Sequence, residues 1–201
     1  YGGDSSAVSD SLESGVQTIF SNEHAFAALK EDGSVVTWGR NDHGGDSTAK
    51  SGLTSGVKEV FSTIWAFAAL KEDGSVVIWG DVLWGGHCAD VCADLDGTID
   101  VIAISSTREA FAALRSNGSV ITWGSPLAGV AGDSSAVSGS LTSGVQTIFS
   151  NSYAFAALKD DGTVVTWGDN NKGGDSSVVS AELHTTIPVV SIFSTSEAFA
   201  K

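Results

Sequence analysis

The segment AFAALKEDGSVVTWG at residues 25–39 decides how this chain folds, because the sequence contains four nearly identical copies of it. The other copies are AFAALKEDGSVVIWG at 66–80, AFAALRSNGSVITWG at 110–124 and AFAALKDDGTVVTWG at 154–168, and a shortened AFAK stands at 198–201. The repeated tryptophans lie at 38, 79, 123 and 167, so the spacings are 41, 44 and 44 residues. A fixed period in this range is typical of repeat proteins in which each unit packs on its neighbours.

Each repeat is predicted to form three short strands. In the first repeat, residues 16–20 are rich in β-branched and aromatic side chains, and two apolar runs follow at 25–29 and 35–38. Between these two runs stands Asp32-Gly33, a dipeptide that tight hairpin turns prefer because glycine adopts a positive φ without strain. The sequence therefore predicts one antiparallel three-stranded sheet per repeat.

Side-chain alternation predicts that both faces of this sheet are apolar. Phe26 and Trp38 share one face, whereas Ala27 and Leu29 lie on the other. A thin sheet that is apolar on both faces is stable only between neighbours, so the repeats are predicted to stack. We expect an all-β fold in one domain, with repeats at approximately 2–39, 44–80, 85–124, 132–168 and 173–201.

Composition restricts the classes of partner. The chain has 10 basic and 24 acidic residues and a net charge of −14, which repels the phosphates of nucleic acids. The sequence has no uninterrupted apolar run long enough for a membrane-spanning helix, so direct membrane insertion is not expected. The compartment stays open at this point, with a secreted protein or an organelle lumen favoured over the cytoplasm.

Metal and cofactor chemistry is not expected. Cys88 and Cys92 lie close to His87, but a structural zinc site needs four ligands and the paired Cys-x-x-Cys spacing is absent. A disulfide or two buried thiols are the favoured alternatives. The Asp-Ser-Ser segments of the connectors, such as that at 4–6, supply one carboxylate each, which makes a poor calcium cage.

Two loops differ between repeats, and they carry the candidate site. One precedes each AFA segment and the other follows each Trp-Gly. In an antiparallel three-stranded sheet both loops lie at the same edge, opposite the Asp-Gly turn. Aromatic and arginine side chains dominate protein-binding energy, so we predict a protein partner at this edge, with neutral loop drift as the alternative. The candidate partner-binding residues are His24, Arg40, His43, Ile64, Trp65, Leu83, Trp84, Arg108, Tyr153 and Lys172.

The sequence contains no recognised catalytic motif. Neither a Gly-x-Ser-x-Gly elbow, nor a His-Glu-x-x-His helix, nor a P-loop occurs in it. We therefore expect a protein without enzymatic activity. The alternative hypothesis is an extracellular carbohydrate-binding or adhesion module, in which the tryptophans stack on sugars. The third hypothesis is an enzyme built on the same fold.

The segment AFAALKEDGSVVTWG, with a short loop and Gly-Gly after it, resembles the repeats of the RCC1-like β-propeller family, and the match recurs four times in register. The resemblance implies blades of a seven-bladed ring, of which this chain holds about 4.5 repeats. The unit is more similar to compact bacterial and algal repeats, a group that includes a secreted β-lactamase inhibitor. From the variable loops we expect a protein-binding scaffold, either an accessory subunit of a larger assembly or an inhibitor, and the resemblance to algal repeats favours a photosynthetic assembly.

Overall fold

The computed structural model describes residues 3–125, 131–177 and 189–200. Within these ranges the chain forms fourteen strands in five antiparallel sheets. The strands are Val16–Ser21 (β1), Ala25–Lys30 (β2), Val35–Gly39 (β3), Val57–Ser62 (β4), Ala66–Lys71 (β5), Val76–Gly80 (β6), Val101–Ser106 (β7), Ala110–Arg115 (β8), Val120–Gly124 (β9), Val145–Ser150 (β10), Ala154–Lys159 (β11), Val164–Gly168 (β12), Phe193–Ser194 (β13) and Phe199–Ala200 (β14).

Four of the sheets are identical in order, and we call them blades. The first blade is β1-β2-β3, the second β4-β5-β6, the third β7-β8-β9 and the fourth β10-β11-β12, while β13-β14 form a fifth, two-stranded sheet. The all-β prediction is confirmed. The blades fall into two compact units, Tyr1–Asp100 and Val101–Lys201, each with its own internal packing. The seven-bladed ring and the single domain remain predictions.

The connectors between blades fold as short helical turns. One α-helical turn spans Ser9–Leu12 (α1). The 3₁₀ turns are Ser6–Val8, Asn41–His43, Ser51–Leu53, Val82–Trp84, Ala89–Leu95, Ser135–Leu141 and Asn170–Lys172. Leu53, Leu95 and Leu141 are buried at the ends of three of these turns, so the connectors are anchored to the blades and are not free linkers.

Strand register confirms the predicted alternation. In the first blade Phe26 pairs with Trp38 and Ala28 with Val36, so these four side chains lie on one face. Ile19 pairs with Ala28 and joins them. We call this the tryptophan face, and the opposite side the alanine face; in the first blade the alanine face carries Phe20, Ala25, Ala27, Leu29 and Val35.

The two faces pack against each other within each unit. In the first unit, Ala25 and Ala27 of the first blade cluster with Phe67 and Trp79 of the second blade. Phe67 and Trp79 are 0% and 1% exposed, and their rings stack with centroids 5.2 Å apart. Small alanines let the sheets approach closely enough for two large rings to fill the space between them.

The same packing recurs in the second unit. Ala110 and Ala112 of the third blade cluster with Phe155 and Trp167 of the fourth. The alanine face of the fourth blade then covers the fifth sheet, where its packing partners are Val189, Ile192 and Phe199. One interface design therefore serves every observed blade-to-blade contact inside a unit.

The Asp-Gly hairpin turns, and the Asn-Gly turn of the third blade, close one edge of the blades. The carbonyl of Gly33 accepts a hydrogen bond from the Val57 amide at 2.9 Å, and Gly118 accepts from Val145 at 3.0 Å. Gly33 has a φ of 73°, and a Cβ there would lie 2.7 Å from the Gly56 nitrogen. This edge demands glycine and tolerates little change, whereas the opposite edge carries the variable loops.

Candidate functional site

The two variable loops of a blade are joined by one side chain. Asn22 accepts hydrogen bonds on Oδ1 from the amides of His24 and Ala25, at 2.9 and 2.8 Å, and its Nδ2 donates to the carbonyl of His43 at 2.8 Å. Asn151 makes the same three bonds in the fourth blade, to Tyr153, Ala154 and Lys172. These bonds place both loops side by side, as the strand order predicted, and we call their combined surface the loop rim.

In the second blade a threonine links the two loops. Thr63 Oγ1 donates to the carbonyl of Trp84 at 2.7 Å and accepts from the Ala66 amide at 3.0 Å. Neighbouring rims are also linked, because the Glu23 amide donates to the Ile64 carbonyl at 3.2 Å in the first unit. We call these hydrogen-bonded residues, the Asn or Thr and the backbone groups it contacts, the frame of the rim. The frame is nearly the same in each of these blades, whereas the side chains of the neighbouring loop residues differ.

An aromatic triad occupies the rim between the first two blades. His43 has its ring centroid 5.0 Å from that of His24 and 4.6 Å from that of Trp65, and His24 and Trp65 are 6.3 Å apart. His43 is 3% exposed, so its side chain is withdrawn from the surface on which the sequence placed it. Among the described residues, His43 Nε2 and Trp65 Nε1 are buried without a hydrogen-bond partner.

Charged side chains flank this triad. Arg40 donates from Nε and Nη2 to the two carboxylate oxygens of Asp42, at 2.7 and 2.9 Å. His43 Nδ1 lies 2.8 Å from Asp42 Oδ1. The Arg40 hydrogen bonds, with a smaller contribution from His43, lower the pKa of Asp42 to about 2. Asp42 therefore stays ionised at neutral pH and neutralises Arg40 locally.

The second blade extends the aromatic triad to an apolar tip. The rings of Trp65 and Trp84 are 4.7 Å apart, and both side chains are half-buried. Val82 and Leu83 precede Trp84 in the same turn and are 63% and 61% exposed. Asp81 holds this turn, since its Oδ1 accepts from the Leu83 amide at 2.9 Å. The turn thus presents two aliphatic side chains to solvent on a packed aromatic base.

The corresponding triad of the second unit is ionic. Lys172 Nζ lies 5.5 Å from the ring centroid of Tyr153 and 2.5 Å from Glu197 Oε1. The hydrogen bond to Glu197 raises the pKa of Lys172. Tyr153, Lys172 and Glu197 occupy the same repeat positions as His24, His43 and Trp65, respectively.

A small cavity of about 160 Å³ opens on the rim between the third and fourth blades. It is lined by Thr107, Glu109, Ala131, Ser152, Tyr153 and Asp169. Asp169 is engaged, because it accepts from the Asn171 amide at 2.9 Å and caps the turn that follows. The rim of the second unit therefore carries polar side chains around a small cavity.

The structure places the candidate residues as follows. His24, Arg40, His43, Ile64, Trp65, Leu83 and Trp84 lie on the rim of the first unit, and Arg108, Tyr153 and Lys172 lie on that of the second. Arg108 is exposed, and its amide donates to the Ser152 carbonyl at 3.1 Å. The variable loop at 126–130, His184 and the connector from 178 lie outside the described residues.

Sequence reasoning missed Val82, Asn22, Asn151 and Glu197. An aliphatic residue beside a tryptophan in a post-Trp-Gly loop was the available signal for Val82. Asn22 and Asn151 stand at the same repeat position, but the other three repeats have Thr there, which hides a shared role. The contact from Glu197 to Lys172 joins different repeats and has no sequence signature.

Cys88 and Cys92 form a disulfide, which decides between the alternatives that the sequence left open. The residues that the structure describes contain no group of three or more His, Cys, Asp or Glu side chains arranged to hold a metal. In the same residues, no helix has the length and apolar character needed to cross a membrane.

Comparison with known proteins shows similarity in one repeat and in the fold. Residues 145–173 match the family model of the regulator of chromosome condensation (RCC1) repeat. The structure of Prp20p from Saccharomyces cerevisiae has a TM-score of 0.54 and 18% identity, covering 80% of this chain and 46% of that chain. Yeast RCC1 (Prp20) bound to Kap60 gives a TM-score of 0.50 and 14% identity, covering 78% and 44%. No curated protein matches the sequence.

Within each unit, antiparallel blades stack face to face, and the fourth blade carries the matched repeat. The chain spans less than half the length of either Prp20 chain. Residues 145–173 thus carry an RCC1-type repeat, and the other three full copies of the repeat have nearly the same sequence.

Proposed function

We propose that this chain is a protein-binding scaffold without enzymatic activity, and that its partner docks on the loop rim of the first unit. The observation that carries the proposal is the apolar tip, Val82 and Leu83, at 63% and 61% exposure on the base of Trp84 and Trp65. Contiguous exposed apolar side chains mark protein interaction sites, and tryptophan, which forms the base here, is among the residue types that contribute most to binding energy.

Ring geometry supports a protein partner over a sugar. Trp65 contacts His43 and Trp84 at centroid distances of 4.6 and 4.7 Å, and this packing leaves less of its faces free for stacking on a pyranose. The solved Prp20p structure is described with its binding to Gsp1p and histones, so a protein of similar fold has protein partners. The role that fits here is an accessory subunit or an inhibitor, and the net charge of −14 disfavours nucleic acid.

The test is a capture experiment with a matched control. The wild-type chain and the double variant Val82→Ser, Leu83→Ser are immobilised and exposed to the same cell extract. Ile102→Ser is the control, because Ile102 is 52% exposed and lies at the opposite end of its blade from the rim. A stoichiometric protein that binds the wild type and the control but not the double variant supports the proposal.

Two results would count against it. A protein retained equally by all three chains would place the binding surface elsewhere. Retention of the wild type on insoluble polysaccharide, lost in Trp84→Ser, would favour the carbohydrate-binding alternative, because that result requires a tryptophan platform.

A further inference from the structure

The hairpin turn of the third blade carries a different residue before its glycine. Asn117 stands there, where the other full repeats have an aspartate: Asp32, Asp73 and Asp161. Asn117 Oδ1 accepts hydrogen bonds from the amide and the hydroxyl of Ser119, at 3.0 and 2.7 Å. Asp32 accepts the same two bonds from Ser34, at 2.9 and 2.6 Å. One side-chain oxygen therefore suffices for this turn, and the turn does not account for the amide nitrogen of Asn117.

The side chain of Asn117 is exposed, and its amide nitrogen is not used by the turn. Within the residues that the structure describes, both hydrogen bonds of this side chain end on Oδ1. The backbone of the turn, in contrast, packs on the fourth blade, because the Gly118 carbonyl accepts from the Val145 amide at 3.0 Å. The turn thus holds Asn117 at the blade edge opposite the loop rim, where a group added to Nδ2 meets solvent.

Asn117, Gly118 and Ser119 form the Asn-x-Ser motif that N-linked glycosylation requires. The other five asparagines of the sequence lack this motif, because the residue two positions after each of them is His, Tyr, Lys or Gly. N-linked glycans belong to secreted proteins, and the disulfide between Cys88 and Cys92 is a bond that oxidising compartments maintain. The motif, the exposure of Asn117 and the disulfide therefore agree on one modification.

We propose that Asn117 is the acceptor of an N-linked glycan. Its Nδ2 loses one proton and bonds to the anomeric carbon of an oligosaccharide that is carried on a lipid pyrophosphate. The bond from that carbon to the pyrophosphate oxygen breaks, and the lipid pyrophosphate leaves with the electron pair. Because Ser119 is 4% exposed in the folded turn, a transferase reads its hydroxyl before the turn closes. The finished turn keeps both bonds on Oδ1, which the glycosylated amide retains.

A glycan at Asn117 has a consequence for the surface of the third blade. N-linked glycans are bulky and solubilising, so this one shields the hairpin edge from macromolecular contacts. The loop rim lies at the opposite edge and stays open. The proposal does not depend on docking at the rim, because the two sites share no residue.

Peptide mass analysis of the chain from the cells that make it tests the proposal. Trypsin cleaves after Arg115 and Lys159, so Asn117 lies in a single peptide, 116–159. We expect this peptide to carry a glycan that peptide N-glycosidase removes, with conversion of the asparagine to aspartate. A native peptide 116–159 at its unmodified mass overturns the proposal.

Matched variants assign the glycan to Asn117. The full chain is expressed behind a cleavable secretory leader in eukaryotic cells, and the mass of the chain is measured in cells and medium together. Asn117→Asp keeps the turn oxygen and is expected to stay at 20.5 kDa. Ser119→Thr keeps both motif and turn, as Thr163 does in the fourth blade, and is expected to exceed 20.5 kDa like the wild type.

Near-ultraviolet circular dichroism is expected to be the same for the wild type with its glycan, the wild type after enzymatic release and Asn117→Asp. Three results overturn the proposal. They are a wild type that stays at 20.5 kDa, a glycan that persists in Asn117→Asp, and a glycosylated chain that regains the folded spectrum only after release of the glycan.

Discussion

The two triads on the loop rim occupy the same frame with opposite chemistry. In the first unit His24, His43 and Trp65 form an aromatic contact, with His43 at 3% exposure. In the second unit the equivalent residues Tyr153, Lys172 and Glu197 form a cation–π contact and an ion pair, with the Lys172 side chain 31% exposed. Asn22 and Asn151 make the same hydrogen bonds beneath the two triads. The hydrogen bonds of the frame therefore do not depend on which side chains form the triad.

The residues that hold the blades together are therefore different from those that set the surface chemistry of the loop rim. The glycines, the Asn or Thr bridge and the alternating strands are set by blade packing, whereas the residue before each AFA segment and the last residue of each post-Trp-Gly loop vary freely. We therefore expect substitutions in the frame to lower the free energy of unfolding in both units. Substitutions in the triads are expected to change the surface chemistry of the rim while the blades stay folded.

The largest effect is expected at the glycine beneath the first triad. Gly44 has a φ of 97°, and a Cβ there would lie 2.6 Å from the Phe67 ring. Gly44→Ala is expected to lower the free energy of unfolding by about 3 kcal/mol, from left-handed backbone strain and overpacking together. Urea denaturation followed by tryptophan fluorescence measures the loss.

The second unit supplies the comparison. At Gly173, with a φ of 101°, the nearest atom to a Cβ is Phe199 Cδ2 at 2.9 Å, on a ring that is only partly buried, whereas the Phe67 ring at Gly44 is 0% exposed. We expect a smaller loss there, about 1.5 kcal/mol. Gly139→Ala is the control, because a Cβ at Gly139 meets nothing within 4 Å. Equal losses at Gly44 and Gly173 would show that the strained backbone, rather than contact with the next blade, determines the cost.

The fold was predictable from sequence because its determinants are local and repeated. Alternation from Ala25 to Leu29 and from Val35 to Trp38, with Asp32-Gly33 between them, fixed the strands, the turn and the two faces. The division into two compact units was not predictable, because consecutive repeats have nearly the same sequence on either side of Asp100.

The next effect concerns the asparagine bridge. Asn22→Ala removes three hydrogen bonds and leaves a partly buried carbonyl and two amides unpaired, which is expected to cost about 2 kcal/mol. Asn22→Thr is expected to recover about half of this loss, because Thr63 already makes the donor and acceptor contacts in the second blade. Thermal unfolding of Asn151→Ala and Asn151→Thr tests the same order in the second unit. A threonine variant no better than alanine would show that the bridge needs the longer amide.

The content of the candidate site was only partly predictable. Strand order placed both loops on one edge, but it did not show that His43 would be buried by Trp65 of the following blade. Exposure at the rim depends on which side chain the next repeat supplies, as the contact between Lys172 and Glu197 shows. The sequence of a single repeat does not indicate such contacts, because they depend on a residue of the next repeat.

Added salt is expected to distinguish the two triads through hydrogen-exchange rates, an effect smaller than the losses of stability above. The ion pair of Lys172 and Glu197 is partly exposed and is screened at high ionic strength, whereas ring contacts between His43 and Trp65 are not. Hydrogen exchange at the Ser152 amide, which donates to Ser196, is expected to speed up about two-fold between about 0.05 and 0.5 M salt. Exchange at the Glu23 amide, which donates to Ile64, stays constant. In Glu197→Gln the salt response of Ser152 disappears; if it persists, the ion pair is not its source.

The smallest effect is the titration of Asp42 beside the aromatic triad. Because Arg40 lowers its pKa from 3.8 to about 2, the folded chain holds this proton less tightly than the unfolded chain. The contribution of Asp42 to stability is therefore fully present above about pH 4 and is lost as the pH falls through about 2. Carboxyl-detected NMR titration is expected to give a midpoint near 2 in the wild type and a value shifted upward toward 3.8 in Arg40→Ala. Since Asp169 replaces Arg40 in the fourth blade, the second unit lacks this pairing, and an unchanged Asp42 midpoint in Arg40→Ala would assign the effect to His43 instead.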